Sequence, residues 1–344
     1  MSYQLPPEWA PQSAVMLTWP RADGDFARSF EAVERCFIEI AVTISRFQPV
    51  HINYGLDPVL LRDRLAQSGA VPGRVRIEVV ESNDVWCRDH GPITVRDADG
   101  EWVHLDFRFN GWGGKFEAAL DDQITRRLAE RGALSAPVRT VDFVLEGGGI
   151  EVDGRGTLLT TERCLLAPTR NPGLDRAGIE AVLKPLLGVD RVLWLRHGDL
   201  LGDDTDGHID TLARFCDAGT LAYQACDNPA DPHYPELAAM AEELRALRTP
   251  DGAPYRLVAL PLPDPIHELD EQGRPGRRLP AGYANFLILN GAVLVPVYGD
   301  RHDEEALARL RPLFPDRQVI GIDCRALIAQ YGSLHCVTMQ IPAA

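Results

Sequence analysis

Gly202-Asp203-Asp204-Thr205-Asp206-Gly207-His208-Ile209-Asp210 packs four acids and an imidazole into a glycine-containing loop, and an apolar run through Leu212 and Phe215 follows. That run reads as a strand, turned at Asp217–Gly219 into a second strand. A helix near Pro235–Leu247 and a third strand complete a unit that delivers the chain to its next polar segment. If the first strand begins at the imidazole, His208 and Asp210 share a face, because side chains alternate along a strand.

Working outward, the same plan recurs. Polar segments lie at Asn83–Pro92, at Glu146–Gly149, at Tyr283–Asn285 and at Ser333–Cys336. Turn residues at Asp97–Gly100, Asp153–Gly156 and Asn290-Gly291 divide strand pairs. Helices are expected near Asp121–Arg131, Arg176–Leu187 and Asp303–Leu313. The widest interval holds Pro263–Pro280, rich in proline and charge, which reads as a surface loop. Before the first full unit, Ala14–Trp19, Val50–Tyr54 and Val75–Val80 read as strands. Phe30, Val33, Phe37, Ile40, Ile44 and Phe47 recur at threes and fours, the mark of an amphipathic helix, and a second helix follows Pro58. Five units of one plan point to a closed or stacked array. The expectation is an α/β, five-unit pseudo-symmetric propeller, with residues 1–344 forming one domain and the N-terminal strand completing the last unit. An open α/β sheet is the alternative, but its parallel crossovers need fewer hairpins.

The acidic loop also has plain readings. It could be a solvated turn. Its spacing does not match an EF-hand. No HExxH or paired CxxC spacing supports a transition-metal site, so no metal and no cofactor are expected. The chain has 344 residues, 45% hydrophobic and 25% charged, with a formal net charge of −15. That charge disfavours nucleic acid and favours small cations. Seven scattered cysteines suit a reducing compartment. No signal peptide or long apolar run is seen, so a cytoplasmic protein off the membrane is expected. Oligomeric state stays open, a homo-oligomer included.

Cys336 occupies the place in the last unit that Asp89, Glu146 and His208 hold in theirs. A thiol is a poor nucleophile at neutral pH unless a cation stabilises its thiolate. His208, or a cationic substrate, could do so. Glu146, accepting a hydrogen bond from His208, would raise and orient the imidazole. Asp89 and Asp210 remain as two carboxylates that suit a guanidinium fork. The set implies thiolate attack on a small cationic guanidine, loss of ammonia, and hydrolysis of the covalent adduct. Trp86 and Trp112 could wall an aliphatic chain or stack on the cation, or simply pack in the core. Asp204 could receive a distal ammonium. Arg88 is expected to pair with a structural carboxylate, and Cys87 and His90 to be structural.

Five motifs carry a resemblance across nearly the whole chain: Asn83-Asp84-Val85-Trp86-Cys87-Arg88-Asp89-His90-Gly91-Pro92, Phe109–Gly114, Leu145–Gly149, Gly207–Asp210 and His335–Gln340. Together they resemble the agmatine deiminase / bacterial-type peptidylarginine deiminase family, within the guanidino-modifying, or pentein, enzymes. The resemblance implies the pentein fold, Cys336 as nucleophile, His208 as general acid/base supported by Glu146, and Asp89 and Asp210 as guanidinium ligands. The chain departs from the family pattern at Tyr331–Leu334, at Ala284 and at Asp204, which bear on the far end of the substrate.

The expected activity is hydrolysis of agmatine to N-carbamoylputrescine and ammonia. Deimination of a peptidylarginine or another arginine-like guanidine is the alternative. Two readings from other classes compete: a metal-dependent amidohydrolase built on His208 and its acids, and a polyamine-binding protein without catalysis.

Overall fold

The computed structural model describes residues 3–270 and 272–343; Met1, Ser2, Ala344 and Glu271 of the predicted insertion lie outside them. The fold is mixed α/β. Four sheets of three strands have one plan, an antiparallel pair followed by a parallel third strand. They are Ile93–Arg96, Trp102–Arg108 and Val138–Val144; Glu151–Val152, Thr157–Thr161 and Arg191–Leu195; Ala213–Asp217, Thr220–Gln224 and Arg256–Leu260; and Leu287–Ile288, Ala292–Val297 and Gln318–Asp323. A four-stranded sheet joins the two ends of the chain. The C-terminal strand Thr338–Pro342 lies antiparallel to Gln12–Thr18, which runs parallel to Val50–Tyr54 and then Val75–Val79.

Each parallel step is bridged by helix, as parallel pairing requires. Phe30–Phe47 forms the longest helix, and Val33, Phe37, Ile40 and Ile44 are wholly buried along one face. Burying each such side chain contributes roughly 1.5–3 kcal/mol. Trp19 meets Phe37 edge-on at 5.5 Å, so truncating Phe37 would open the largest core cluster. Arg176–Leu187 is helical as the periodicity predicts, capped by Asp175, whose side chain accepts from Gly178 N at 2.8 Å. Pro58 sits in the first turn of Pro58–Gln67, where its missing N–H costs nothing, behind an Asp57 cap.

Two expectations need correction. Pro263–Pro280 is not merely a loop: His267–Leu269 and Pro275–Arg278 pair as a hairpin. No strand begins at His208; Ile209–Thr211 is a single 3₁₀ turn and the strand starts at Ala213. Glycines and acids before Ile209 let the backbone bond to its own side chains, as Asp203 does to Thr205 N and Gly207 N, so a turn wins over a ladder.

The short turns that follow third strands carry the polar segments. Cys87–His90 packs on Gly147–Gly149, which packs on Ile209–Thr211. No helix among the described residues is long and apolar enough to cross a membrane.

Candidate active site

Gly148 marks the centre. A side-chain carbon there would lie 2.6 Å from His208 Nδ1, 2.9 Å from Asp89 Oδ1 and 3.1 Å from Asp210 Oδ2, so only glycine lets these three groups approach one another. The Gly-Gly-Gly run therefore does more than set a turn. Gly148 N also donates to Asp89 Oδ1 at 3.0 Å. Asp89 Oδ2 accepts from Trp112 Nε1 at 2.9 Å, which fixes the carboxylate plane.

Cys336 Sγ stands 3.8 Å from Asp210 Oδ2 and 3.4 Å from Asn285 Oδ1. Asn285 Oδ1 accepts as well from the backbone N–H of His335 at 2.9 Å, clamping the chain that carries the thiol. Burial, and then the charges of Asp210 and Asp89, push the Cys336 thiol well above its ordinary range. The resting sulfur therefore keeps its proton.

His208 is wholly buried; neither ring nitrogen meets an oxygen or nitrogen at hydrogen-bonding distance, and its near neighbour is the Cys164 sulfur. Nδ1 lies 3.6 Å from Asp89 Oδ1. Burial lowers the imidazole's basicity, but Asp89, the Cys164 sulfur and Glu146 outweigh it and hold the group well above 6.5. The expected hydrogen bond from His208 to Glu146 is not formed. Glu146 instead takes both of its oxygens to Arg170 Nε, at 2.8 and 3.0 Å. Its influence on His208 is through charge. Arg170 continues to Asp206 Oδ2 at 2.7 Å and the carbonyl of Thr205 at 2.8 Å, so one guanidinium ties Glu146 to the loop that carries His208.

Glu146, Cys164 and His208 present donor atoms within 4.8 Å of one another, a set that could hold a metal ion. An ion there would share Glu146 with the Arg170 cation, and that charge opposes it.

A pocket opens above Cys336, lined by Trp86, Asp89, Trp112, Asp204, Asp25 and Asp84, with Tyr331 and Gly332 at its wall. Both predicted tryptophans are thus brought to it. Trp86 Nε1 donates to Asp84 Oδ2 at 3.0 Å. A Cβ on Gly332 would lie 2.2 Å from the Trp86 ring, so the departure into Tyr331-Gly332-Ser333 keeps a glycine where the indole needs it. Asp204 is on the rim, and Lys115 Nζ takes its carbonyl at 2.7 Å.

The family model for Porphyromonas-type peptidyl-arginine deiminases matches residues 4–342. The chain belongs to this family. An agmatine deiminase of Stutzerimonas stutzeri is 36% identical over 99% of this chain and 96% of its own. A C. jejuni agmatine deiminase solved with substrate bound is 35% identical, covers 98% of this chain and 96% of its own, and superposes with a TM-score of 0.89. A Porphyromonas gingivalis structure, solved as a candidate arginine deiminase, is 50% identical with a TM-score of 0.90, over 99% of this chain and 98% of its own.

For this deiminase-family chain, the sequence reading placed Asp89, His208, Asp210 and Cys336 in one neighbourhood; the structure gathers Asp89, His208 and Asp210 around Gly148 and sets Cys336 beside Asp210. It missed Arg170, Cys164, Asp84 and Asn285 as partners. A signal for Arg170 was present: a loop of four acids calls for a buried cation, and Arg170 precedes an Asn-Pro-Gly turn. Arg88 does find structural partners, donating to Gln340 Oε1 at 2.6 Å with Glu8 Oε2 3.9 Å away. Cys87 and His90 are buried, the thiol pushed up to about 12 and the imidazole down to about 3, so neither ionises near neutral pH.

Proposed function

We propose that this protein is a deiminase acting on agmatine, releasing ammonia and N-carbamoylputrescine. The observation that carries the reading is the convergence of Cys336, Asp89, Asp210 and His208 beneath a pocket with three further carboxylates, Asp25, Asp84 and Asp204. Two carboxylates beside the thiol match a guanidinium, and the outer ones match a second positive charge at the far end of the substrate. The names of relatives at 34–36% identity support the same choice.

In this reading Asp89 and Asp210 receive the guanidinium. Its charge offsets the two carboxylates that oppose ionisation of Cys336, so binding itself favours the thiolate, and the thiol proton leaves to solvent. Sulfur attacks the guanidinium carbon. His208, charged in the resting state, gives its proton to the departing nitrogen, and ammonia leaves a covalent amidino-cysteine. Neutral His208 then takes a proton from water; the oxygen adds to the same carbon, the sulfur leaves as thiolate, the hydroxyl proton of the adduct passes to that sulfur to restore the thiol, and the ureido product is released. Trp86 and Trp112 flank the aliphatic chain. We further propose that the whole chain is one catalytic domain in which five sheets close into a propeller-like ring around this site. The pairing of the two chain ends supports closure.

A second reading, an arginine-like substrate, has a specific observation behind it. Lys115 Nζ lies 2.8 Å from Asp206 Oδ1 at the pocket rim and could meet a carboxylate. The pocket's four lining carboxylates weigh against it. Steady-state rates on agmatine, arginine and a short arginine peptide decide; absence of agmatine turnover would overturn the proposal. Mass spectrometry of enzyme quenched in turnover should find the amidino adduct on Cys336.

A further inference from the structure

Asp210 is held in an unusual way. Its Oδ2 accepts from His335 Nδ1 at 2.7 Å, while Oδ1 is buried without a partner. The other ring nitrogen of His335, Nε2, is 2.7 Å from Glu8 Oε2. Glu8 already accepts from Arg214 Nη2 at 2.7 Å and from Ile288 N at 2.8 Å, so it is the ionised partner. Arg214 turns its Nε to Glu151 Oε2 at 2.9 Å. All these groups are buried. With Arg88 beside Glu8, the cluster holds the carboxylates Glu8, Glu151 and Asp210 against Arg88, Arg214 and His335. The charges balance only if His335 carries one.

Geometry says the same. An ionised carboxylate only accepts hydrogen bonds, and a neutral imidazole donates from one nitrogen. A neutral His335 would set a nitrogen lone pair against carboxylate oxygen at 2.7 Å on one side. Neither Glu8 nor His335 lines the substrate pocket. Both line a separate cavity, with Arg88 and Glu151, that shares no lining residue with it. They therefore act without touching substrate.

We infer that Glu8 and His335 are positioning residues: doubly donating His335, anchored on Glu8, tethers one oxygen of Asp210 and leaves the other free for the guanidinium. The inference rests on the reading of Asp210 as a guanidinium ligand. The tethered oxygen is also the one that stands 3.8 Å from Cys336 Sγ, so the same contact fixes where the carboxylate meets the sulfur. It gives the N-terminal segment a part in the reaction, since Glu8 comes from the opening Pro6-Pro7-Glu8 stretch.

The test has two arms on the full chain. Nitrogen NMR of histidine-labelled protein, assigned by comparison with His335→Asn, should find both His335 nitrogens protonated at neutral pH; a neutral tautomer overturns the inference. In the second arm, Glu8→Gln is compared with Glu34→Gln, which removes a buried, ion-paired carboxylate outside the cluster. Loss of the Glu8 charge removes the ionised acceptor that makes His335 donate from both nitrogens, and so loosens its hold on Asp210 beside the thiol. Misplacement of a binding group on this scale costs up to about 100-fold in rate. Glu8→Gln should lose on the order of 10- to 100-fold in kcat/KM. Its pH profile for iodoacetamide alkylation of Cys336 should move to higher pH. Glu34→Gln should keep the wild-type profile even where it melts earlier. A folded Glu8→Gln with wild-type kcat/KM and profile refutes the tether, and if that variant does not fold the NMR arm decides alone. Neither labelling nor alkylation needs a guanidine. Wild-type enzyme that ignores agmatine yet holds a doubly protonated His335 would fault the substrate, not the tether.

Discussion

Burial and the charges of Asp210 and Asp89 oppose ionisation of Cys336, hydrogen bonds at Ser333 and Asn285 only partly offset them, and a visiting cation tips the balance. Removing the sulfur removes the covalent step. Cys336→Ala should lower the rate of ammonia release by at least about 10⁴-fold, by analogy with loss of other enzyme nucleophiles, while leaving thermal melting near wild type. Asp84 gives the second residue-scale prediction. Burial raises its carboxyl from 3.8 to about 7, with hydrogen bonds from Val85 N and Trp86 Nε1 pulling the other way and Asp25 adding repulsion. Neighbouring Asp121, which accepts from Asn83 N and Asp84 N, is raised to about 8. Below pH 7 Asp84 is neutral; above it, the pocket gains a negative charge that favours a dication. The kcat/KM for agmatine should therefore rise through about pH 7, and Asp84→Asn should flatten that limb. At this scale the sequence was most legible where chemistry restricts residue type: a thiol, an imidazole and two acids at matching places in separate units. The acidic loop called for a cation such as Arg170 without showing which acid it would neutralise, and Glu8 was not legible, because nothing local shows which distant cations an isolated acid will meet.

Elements carried a different share of the information. Periodicity located the helices Phe30–Phe47 and Arg176–Leu187 because each buries one face, and that face is written in the spacing of apolar residues. It could not reveal the 3₁₀ turn Ile209–Thr211, since three residues have no period and side-chain bonds from Asp203 decide the backbone. Nor could it reveal the hairpin Pro275–Arg278 with His267–Leu269, whose strands are exposed and polar. The wall segment Tyr331–Leu334 yields an element-scale prediction. Tyr331 has φ +75°, a strained value for a tyrosine, and Arg277 of that hairpin stacks on its ring at 3.9 Å. The adjoining Gly332 lies against Trp86. Gly332→Ala would force the indole out of place, because the new carbon would stand 2.2 Å from it. Such overpacking costs about 1–3 kcal/mol. The variant should melt earlier and raise KM for agmatine, with the Trp86 displacement visible in a crystal structure.

The whole molecule is joined by its buried charges as much as by its sheets. Thr338–Pro342 pairs with Gln12–Thr18, bringing both ends of the chain to one sheet. That pairing was foreshadowed by an N-terminal strand lacking a preceding unit. The ionic cluster beneath it was not, because its members are scattered from Glu8 to His335. Arg214 is its hub, wholly buried, donating to Glu8, to Glu151 and to the Phe286 carbonyl at 2.6 Å. Removing one partner from such a cluster leaves unpaired buried carboxylates, which typically costs 3–5 kcal/mol. Arg214→Met should therefore lower the unfolding free energy by that measure, read as a lower urea midpoint with little change in slope. The pH dependence follows from Glu8. Burial would raise its carboxyl, but Arg214, His335 and Arg88 together hold it well below its ordinary 4.5. A depressed carboxyl stabilises the fold fully above its unfolded value, and that contribution is lost as pH falls through the window beneath. Wild-type protein should thus lose stability on acidification below about pH 4.5. Arg214→Met, whose Glu8 has lost its first-ranking counter-charge, should show a shallower acid limb from a lower starting stability. Parallel limbs in the two proteins would mean that Glu8 does not draw its low proton affinity from Arg214.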